Sequence, residues 1–396
     1  MSKNDSFHPL LKWPGGKSTE FEYIKHLIPE YTRYVEPFFG GGAVFFKLAP
    51  NSAIINDIAD ELVDLYRFVK GDLDTEELKK ELNSYASVWD AIDEYIVPLE
   101  EHATKVYRQL YSGDIDKNEL KIQIQKMIDD EAHSFKRLFS EEFCVDSNNL
   151  SSQIVKNLSQ KLIRTVKVEQ GTPGGFSKED LFKNIETGFK SGFYMHFRDL
   201  LNKSKTYNIS RAKHIANWFY VREYCYASMF RFNSKGEFNI PYGGIGYNKK
   251  SLRGKISYMF SPEVRELFQT TNIYKQDFAK LVESVELSGN DFVFLDPPYD
   301  TEFSSYEGNT FDQNDQKRLA EFVANTPAKC LMIIKETPYI RSLYSSDKFI
   351  VESFEKSYLY NVRGRNNRDV NHLIIRNYSI ETNAQPITRS SVEARV

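Results

Sequence analysis

The sequence predicts an α/β fold: a doubly wound, mostly parallel sheet whose two halves are separated by a long, mostly helical insertion carrying a β-hairpin. Three observations carry this reading. Near the start, a short apolar strand runs into a glycine turn, a helix, a second strand and an acid, which is the opening half of a doubly wound sheet. From about residue 71 to 165 the pattern turns helical and acidic, with apolar residues at mixed three- and four-residue spacing. Beyond about residue 265, strands alternate with helices again.

The elements follow in order. Leu10 to Ser18 reads as a loop entering a helix at about 18–28. Tyr34-Val35-Glu36 is a short strand, Pro37 to Gly42 a tight turn, and a helix begins at Ala43. Ala53 to Asp57 is a second strand ending in an acid, with a helix at about 59–70. Inside the insertion, Gln170 to Gly175 is a loop and 178–225 are helices joined by polar links. Phe230 to Tyr247 carries Asn233-Ser234-Lys235-Gly236 and three more glycines at turn spacings, and reads as a hairpin. Asn272 to Asp277 is strand then acid, with a helix to about 286; Phe292 to Leu295 is an apolar strand. A polar segment, Thr301 to Asn314, leads to a helix at about 314–325 with Asn314 as its N-cap. Strands at about 330–335, 349–354 and 372–378 close the sheet, and 381–396 reads as a flexible tail. The expected division is a core of 1–70 and 266–380 around an insertion of 71–265.

A chain of 396 residues with 41% hydrophobic content can bury such a core. Three scattered cysteines without a C-x-x-C argue against disulfides, zinc and iron–sulfur, and fit a reducing cytoplasm. No apolar run approaches about 18 residues and no signal pattern opens the chain, so a soluble intracellular protein is expected. The net charge of −3 hides a division. Residues 71–189 hold 23 acids against 15 Lys and Arg, whereas 190–255 hold 13 Lys and Arg against 3 acids. The local excess of +10, interleaved with Tyr, Phe, Asn and Gly, is a candidate phosphate-binding surface, with an ordinary solvated face as the alternative.

The strand 292–295 ends in Asp296-Pro297-Pro298-Tyr299. Proline cannot continue a sheet ladder, so the strand stops and the turn is stiff. It presents a carboxylate, a backbone carbonyl and an aromatic face at the carboxyl end of a strand, where open α/β sheets bind ligands. Those groups suit a planar base bearing an exocyclic amine. Glu36-Pro37-Phe38-Phe39-Gly40-Gly41-Gly42 lacks both G-x-G-x-x-G and a Gly-Lys-Ser/Thr ending, so it is not a phosphate cradle. Its glycines permit close backbone approach. Asp57, at the next strand's end, stands where an acid holds ribose hydroxyls. Asp277-Phe278 offers a carboxylate and a ring for an adenine. A ribose acceptor and a glycine loop without a phosphate clamp fit S-adenosylmethionine.

These motifs resemble the Dam-like, α-group DNA adenine-N6 methyltransferases. The resemblance rests on Leu11-Lys12-Trp13-Pro14-Gly15-Gly16-Lys17, Val35 to Phe46, Asn56-Asp57, Arg231 to Gly243, and Asp296-Pro297-Pro298-Tyr299, in that family's order. It covers roughly 10–70 and 225–380. It implies a Rossmann-like S-adenosylmethionine-dependent core interrupted by a target-recognition insertion that binds double-stranded DNA. Phe38, Gly40, Gly42, Asp57, Asp277, Phe278 and Asp296 resemble the cofactor site, with Trp13 and Lys17 beside its methionine end. Asp296, Pro297 and Tyr299 resemble the target-base site. Arg231 resembles a base-reading arginine, Tyr226 an inserting aromatic, and Asn233, Lys235 and Pro241 belong to the same DNA-facing motif. Where GATC enzymes carry an Asn and a second reading Arg, this chain has Ala227 and Gly244.

The implied reaction needs no metal and no covalent enzyme intermediate. Hydrogen bonds from the adenine amine to Asp296 and the Pro297 carbonyl favour its localised lone pair, and the methyl group transfers in line. The base must be flipped out of the duplex, with Tyr299 as its receiving face. Arg231 suits a guanine edge, while Lys249, Lys250, Arg253 and Lys255 are expected at phosphates. His196 and His214 have no catalytic partner spacing, and a structural or phosphate role is expected. The basic run Arg363, Arg365 and Arg368 is a DNA contact or a solvated turn. The expected enzyme is the modification half of a restriction system, served by a cognate endonuclease, or a solitary phage or bacterial methylase in the cytoplasm. The rivals are a cytosine-N4 methyltransferase, a protein-glutamine methyltransferase and an inactive DNA-binding regulator.

Overall fold

A computed structural model describes residues 7–299, 305–306, 309–357 and 369–380, apart from 132–134 and 136–137. The tail from 381 and the basic run at 363–368 lie outside the described residues. Seven strands form one sheet: β1 (Arg33–Glu36), β2 (Ala53–Asn56), β3 (Thr271–Tyr274), β4 (Asp291–Leu295), β5 (Lys329–Lys335), β6 (Ile350–Ser357) and β7 (Asp369–Arg376). Their order is β3-β2-β1-β4-β5-β7-β6. The first five are parallel, β7 is antiparallel to β5, and β6 is antiparallel to β7.

Period-two alternation sorts the strand side chains onto two faces. Tyr34, Phe292, Phe294, Leu331 and Ile333 point into one core cluster. It is covered by α1 (Ala43–Leu48), α2 (Asp60–Lys70) and the helical insertion. Val35, Ile54, Val293, Leu295, Met332 and Ile334 point into the other. The helices Phe278–Ser284, Gln313–Asn325 and Pro338–Leu343 cover that second face. The last of these was not anticipated.

Among the described residues the insertion is mostly helical between α3 (Thr75–Ile96) and a helix at Pro262–Gln269, except for the irregular segment at 225–252. Its long helices start where the sequence places polar caps. Asp74, Asp146, Ser177 and Ser210 each accept a hydrogen bond from the backbone N–H three residues on. The helices Ser147–Gln170 and Lys178–Asn202 pack backbone to backbone through Gly188 and Gly192. A Cβ on Gly192 would lie 2.4 Å from Ile154 Cα, so any larger residue would force the pair apart.

Two expectations need correction. The helix at 313–325 is capped by Asp312, which accepts from Asn314 and Asp315 N–H in a capping box; Asn314 already lies inside the helix. The expected hairpin at 230–247 makes isolated bridges, Phe232 with Phe238 and Cys225 with Tyr242, rather than a continuous ladder. Phe238, Ile240 and Tyr242 are buried, no further strand pairs with the segment among the described residues, and its glycines and Pro241 interrupt the pairing.

Candidate active site

Parallel register sets Val35 of β1 beside Val293 of β4. The turns that follow Glu36 and Leu295 therefore emerge side by side, at the point where strand order reverses. Together they line one cavity of about 550 Å³ with the Trp13–Lys17 loop, Asp57, Asp277, Phe278, Phe230, Phe311 and Asp315. This is within the size range of small-molecule sites. Every residue expected at the cofactor and target-base sites, from Trp13 to Tyr299, lines it.

The glycine turn is shaped by its neighbours. Gly40 and Gly42 adopt φ of +50° and +66°. Asp57 ties the turn to β2: Oδ2 accepts from Gly40 N at 2.8 Å and Oδ1 from Ala59 N at 3.0 Å. Burial pushes the Asp57 carboxyl up, against those backbone donors. Asn56 Nδ2 donates to the Pro37 and Gln276 carbonyls, both at 2.9 Å, and so clamps three strand ends together. Burial also pushes the Glu36 carboxyl far above its usual range, and it accepts from Tyr34 OH at 2.8 Å.

Phe38, Phe278 and Phe311 form a triangle of rings 5.3–5.8 Å apart. Arg318 lies 4.9 Å above Phe278 and forks both Asp277 oxygens at 3.1 Å. Asp277 also caps its helix by accepting from Ala279 N. Burial works the other way, but the Arg318 fork holds the Asp277 carboxyl below the usual carboxylate range. The carboxylate expected to face an adenine amine thus already shares its oxygens with a guanidinium.

In the Asp296–Tyr299 turn, Asp296 is ion-paired with the buried Lys17 ammonium. Lys17 also donates to Gly15 O at 2.7 Å and lies 5.3 Å from the Tyr299 ring centre. Buried Gln316 donates to the Pro298 carbonyl at 2.8 Å. His372, buried on β7, hydrogen-bonds Tyr299 OH through Nε2 at 3.2 Å. Phe311, Gln316, Arg318 and His372 were not foreseen. Only Arg318 carried a local signal, its spacing of three from Asp315 on one helix face.

On the insertion, Tyr226, Arg231, Lys235 and Pro241 are exposed, and Phe230 links this strip to the cavity. Arg231 Nε donates to Asn239 Oδ1 at 2.9 Å, while Nη1 and Nη2 make no hydrogen bond among the described residues. Asn233 is spent on the turn: Oδ1 accepts from Lys235 N and Glu237 N, and Nδ2 donates to Glu237. The backbone at Gly244, φ +86° and ψ −161°, is one that only glycine adopts without strain, so an arginine is disfavoured there. Ala227 and Ser228 both hold positive φ, +54° and +51°, directly after Tyr226.

The residues of the expected phosphate surface are paired with carboxylates of the chain itself. Lys249 meets Asp93, Arg253 meets Asp90, and Lys250 and Lys255 both meet the buried Glu223. Arg211 bridges Asp60 and Asp64, Lys213 meets Glu81, and buried Lys190 meets Glu186 and Asp93. Much of the basic stretch neutralises acids nearer the start of the chain: buried Lys190 and Lys213 need partners, whereas Lys249 and Arg253 stay exposed in their pairs. Arg231 and Lys235 are exposed and have no carboxylate partner among the described residues. His196 is buried between Asn149 Oδ1 and the Cys144 carbonyl, with its pKa pushed down to about 4 by burial, and His214 meets Glu61. Both are structural contacts.

A family model of D12 class N6 adenine-specific DNA methyltransferases matches residues 13–96 and 116–359. The chain is similar to the Type II methyltransferase M.CviBI of Paramecium bursaria Chlorella virus NC1A, 32% identical over 209 residues, covering 50% of this chain and 76% of that protein. It is similar to the Type II methyltransferase M.MjaIII of Methanocaldococcus jannaschii, 23% identical, over 93% of this chain and 99% of that protein. The DNA adenine methylase of Serratia marcescens is 22% identical over 94% of this chain and 98% of its own length.

Proposed function

Because the chain belongs to the D12 class of N6 adenine-specific DNA methyltransferases, which use S-adenosylmethionine as methyl donor, we propose that one cavity receives the cofactor and a flipped-out target adenine together. The observation that carries this is the shared lining: the glycine turn and the Asp296–Tyr299 turn face one cavity. The residues present fit the cofactor. Gly40 and Gly42 hold the left-handed backbone that lets the turn line the cavity, the Phe38–Phe278–Phe311 triangle offers an aromatic slot, and Asp57 and Asp277 supply carboxylates without a phosphate cradle. Trp13, Lys17, Phe38, Gly40, Gly42, Asp57, Asp277 and Phe278 would hold it, with Asp296 at its reacting end. When bound it supplies a methyl group on a positively charged sulfur.

The protein's own groups do the rest by alignment and charge. Asp296 and the Pro297 carbonyl accept from the adenine amine, concentrate its lone pair and stabilise the positive charge that builds on nitrogen. Tyr299 stacks on the base and offsets part of its lost stacking. Lys17 holds the Asp296 carboxylate in place, and Gln316 holds the turn from behind.

Residues 71–265 form the DNA-facing unit in this reading, with Tyr226, Arg231, Lys235 and Pro241 at the duplex and Asn233 shaping their turn. Lys249, Lys250 and Arg253 would meet phosphate by exchanging their carboxylate partners, which costs little for exposed pairs such as Lys249–Asp93. The enzyme acts site-specifically in the cytoplasm of a bacterial or phage-infected cell. It serves as the modification half of a restriction system beside a cognate endonuclease, or as a solitary methylase.

Transfer of labelled methyl into unmethylated genomic DNA, followed by single-molecule sequencing, tests this. Modified adenine within one short motif is expected, and Ala227 and Gly244 argue against GATC as that motif. No incorporation with cofactor bound would redirect the reading to RNA, to protein or to binding alone. Arg231→Ala is expected to relax the choice of one base pair, a loss of about 1–3 kcal/mol in discrimination. Uniform weakening on all sequences would make Arg231 a phosphate contact instead.

A further inference from the structure

Arg222, buried in the helix Arg211–Tyr224, lies where three distant parts of the chain meet. Its guanidinium is 4.5 Å from the Trp13 ring, 5.3 Å from the Trp218 ring and 4.3 Å from the Phe230 ring. The Trp13 and Phe230 rings are themselves 5.4 Å apart, so the cation closes a triangle over the pair. Nη2 donates to the Lys12 carbonyl at 3.1 Å. A flat, weakly hydrated guanidinium can lie on aromatic rings while its edge donates; an ammonium cannot do both equally well.

Each ring of the pair leads to a different site. The Trp13 indole covers the glycine turn so closely that a Cβ on Gly40 would lie 2.7 Å from Trp13 Cδ1, and one on Gly41 3.0 Å from Trp13 Cβ. Phe230 lines the cavity and directly precedes Arg231. Phe230 thus packs on Trp13, and Trp13 on the turn, in one continuous chain of contacts from the Arg231 segment to Gly40. We propose that Arg222 is a positioning residue that ties the cofactor turn to the base-reading hairpin and makes cofactor and DNA binding mutually dependent. The inference rests on the reading above, in which the glycine turn faces the cofactor and Arg231 faces DNA.

The test uses the full chain, the unreactive product S-adenosylhomocysteine as probe, and a duplex carrying the mapped target. Calorimetry gives the affinity for each ligand, alone and with the other saturating. Linkage requires the two coupling factors to be equal, and typical values are about 5–150-fold. The wild type is expected within that range. Arg222→Met, which fills the volume without the planar charge, and Arg222→Lys, which keeps the charge without the flat face, are expected to bring the factor close to one. Either should weaken the probe alone by about 3–10-fold. Melting curves separate this from a packing role, which would lower stability and leave the coupling intact. Intact coupling in a folded variant, or a wild-type factor near one, overturns the proposal; if both Arg222 variants fail to fold, half-buried Phe230→Leu, which removes one ring from the guanidinium, is read in the same way. Gly40→Val serves as the control. If it binds the probe normally, the cofactor reading itself fails; if it loses the probe while the Arg222 variants keep their coupling, the present inference alone fails.

Discussion

Asp296→Ala is expected to lower kcat for methyl transfer by roughly 10²–10³-fold or more, while S-adenosylmethionine and duplex DNA still bind. The lone pair of an adenine amine is delocalised into the ring, and nitrogen gains positive charge as it reacts. A carboxylate on that amine acts most strongly where water is excluded, because charge-assisted bonds strengthen in a low-dielectric site. The substitution also unpairs the Lys17 ammonium, whose side chain is 1% exposed. That uncompensated charge would then repel the charge building on nitrogen. Breaking a buried pair costs up to about 3–5 kcal/mol, so part of any loss is stability. The double variant Lys17→Met, Asp296→Ala separates the two effects: its melting temperature should partly recover while its activity does not. Asp296→Asn, which keeps the shape and an acceptor oxygen but loses the charge, should also be strongly impaired. Full turnover in Asp296→Ala would remove Asp296 from the reacting amine.

What the sequence could reveal follows from how local each signal is. The Glu36–Gly42 and Asp296–Tyr299 turns were legible because strand, breaker and functional group lie within a few residues of one another. The doubly wound α/β class followed from the alternation of elements. The His372–Tyr299 contact spans 73 positions and the Arg222–Lys12 contact 210, and neither leaves a periodic or compositional trace. Summed charge is blind to distance in the same way. Summed along the chain, 190–255 is strongly basic. In the fold its cations reach back to Asp60, Asp64, Glu81, Asp90 and Asp93, some from buried positions such as Lys213 that need a partner and some in exposed pairs such as Lys249–Asp93. The misplaced cap at 312–314 is a smaller version of the same limit. Asp312 and Asn314 are both good caps, and the reciprocal bond between Asp312 N and Asp315 selects the first.

Gly42→Ala is expected to disable the cofactor turn, with at least a 100-fold loss of S-adenosylhomocysteine affinity and about 2–5 kcal/mol of stability. Two independent costs add. Gly42 holds φ +66°, a left-handed conformation that costs a Cβ-bearing residue about 1–2 kcal/mol. The new Cβ would also lie 2.4 Å from Phe39 Cζ and 2.8 Å from Cε2. Phe39 cannot yield, because it is 3% exposed and wedged edge-on against Phe45 at 5.3 Å and Tyr66 at 4.9 Å. Tyr66 in turn donates to the Gly40 carbonyl at 3.0 Å, and Gly40 N donates to Asp57. Relief of the clash must therefore displace the same backbone that Asp57 holds, which carries the change into the proposed ribose site. Gly246→Ala is the matched control: its Cβ meets nothing within 4 Å and its φ is not positive, so folding and probe affinity should stay within error. Melting curves and calorimetry with the unreactive product read both quantities on the same samples. Unchanged binding in Gly42→Ala would mean that the turn does not touch the cofactor; lost stability with unchanged binding would confine Gly42 to packing.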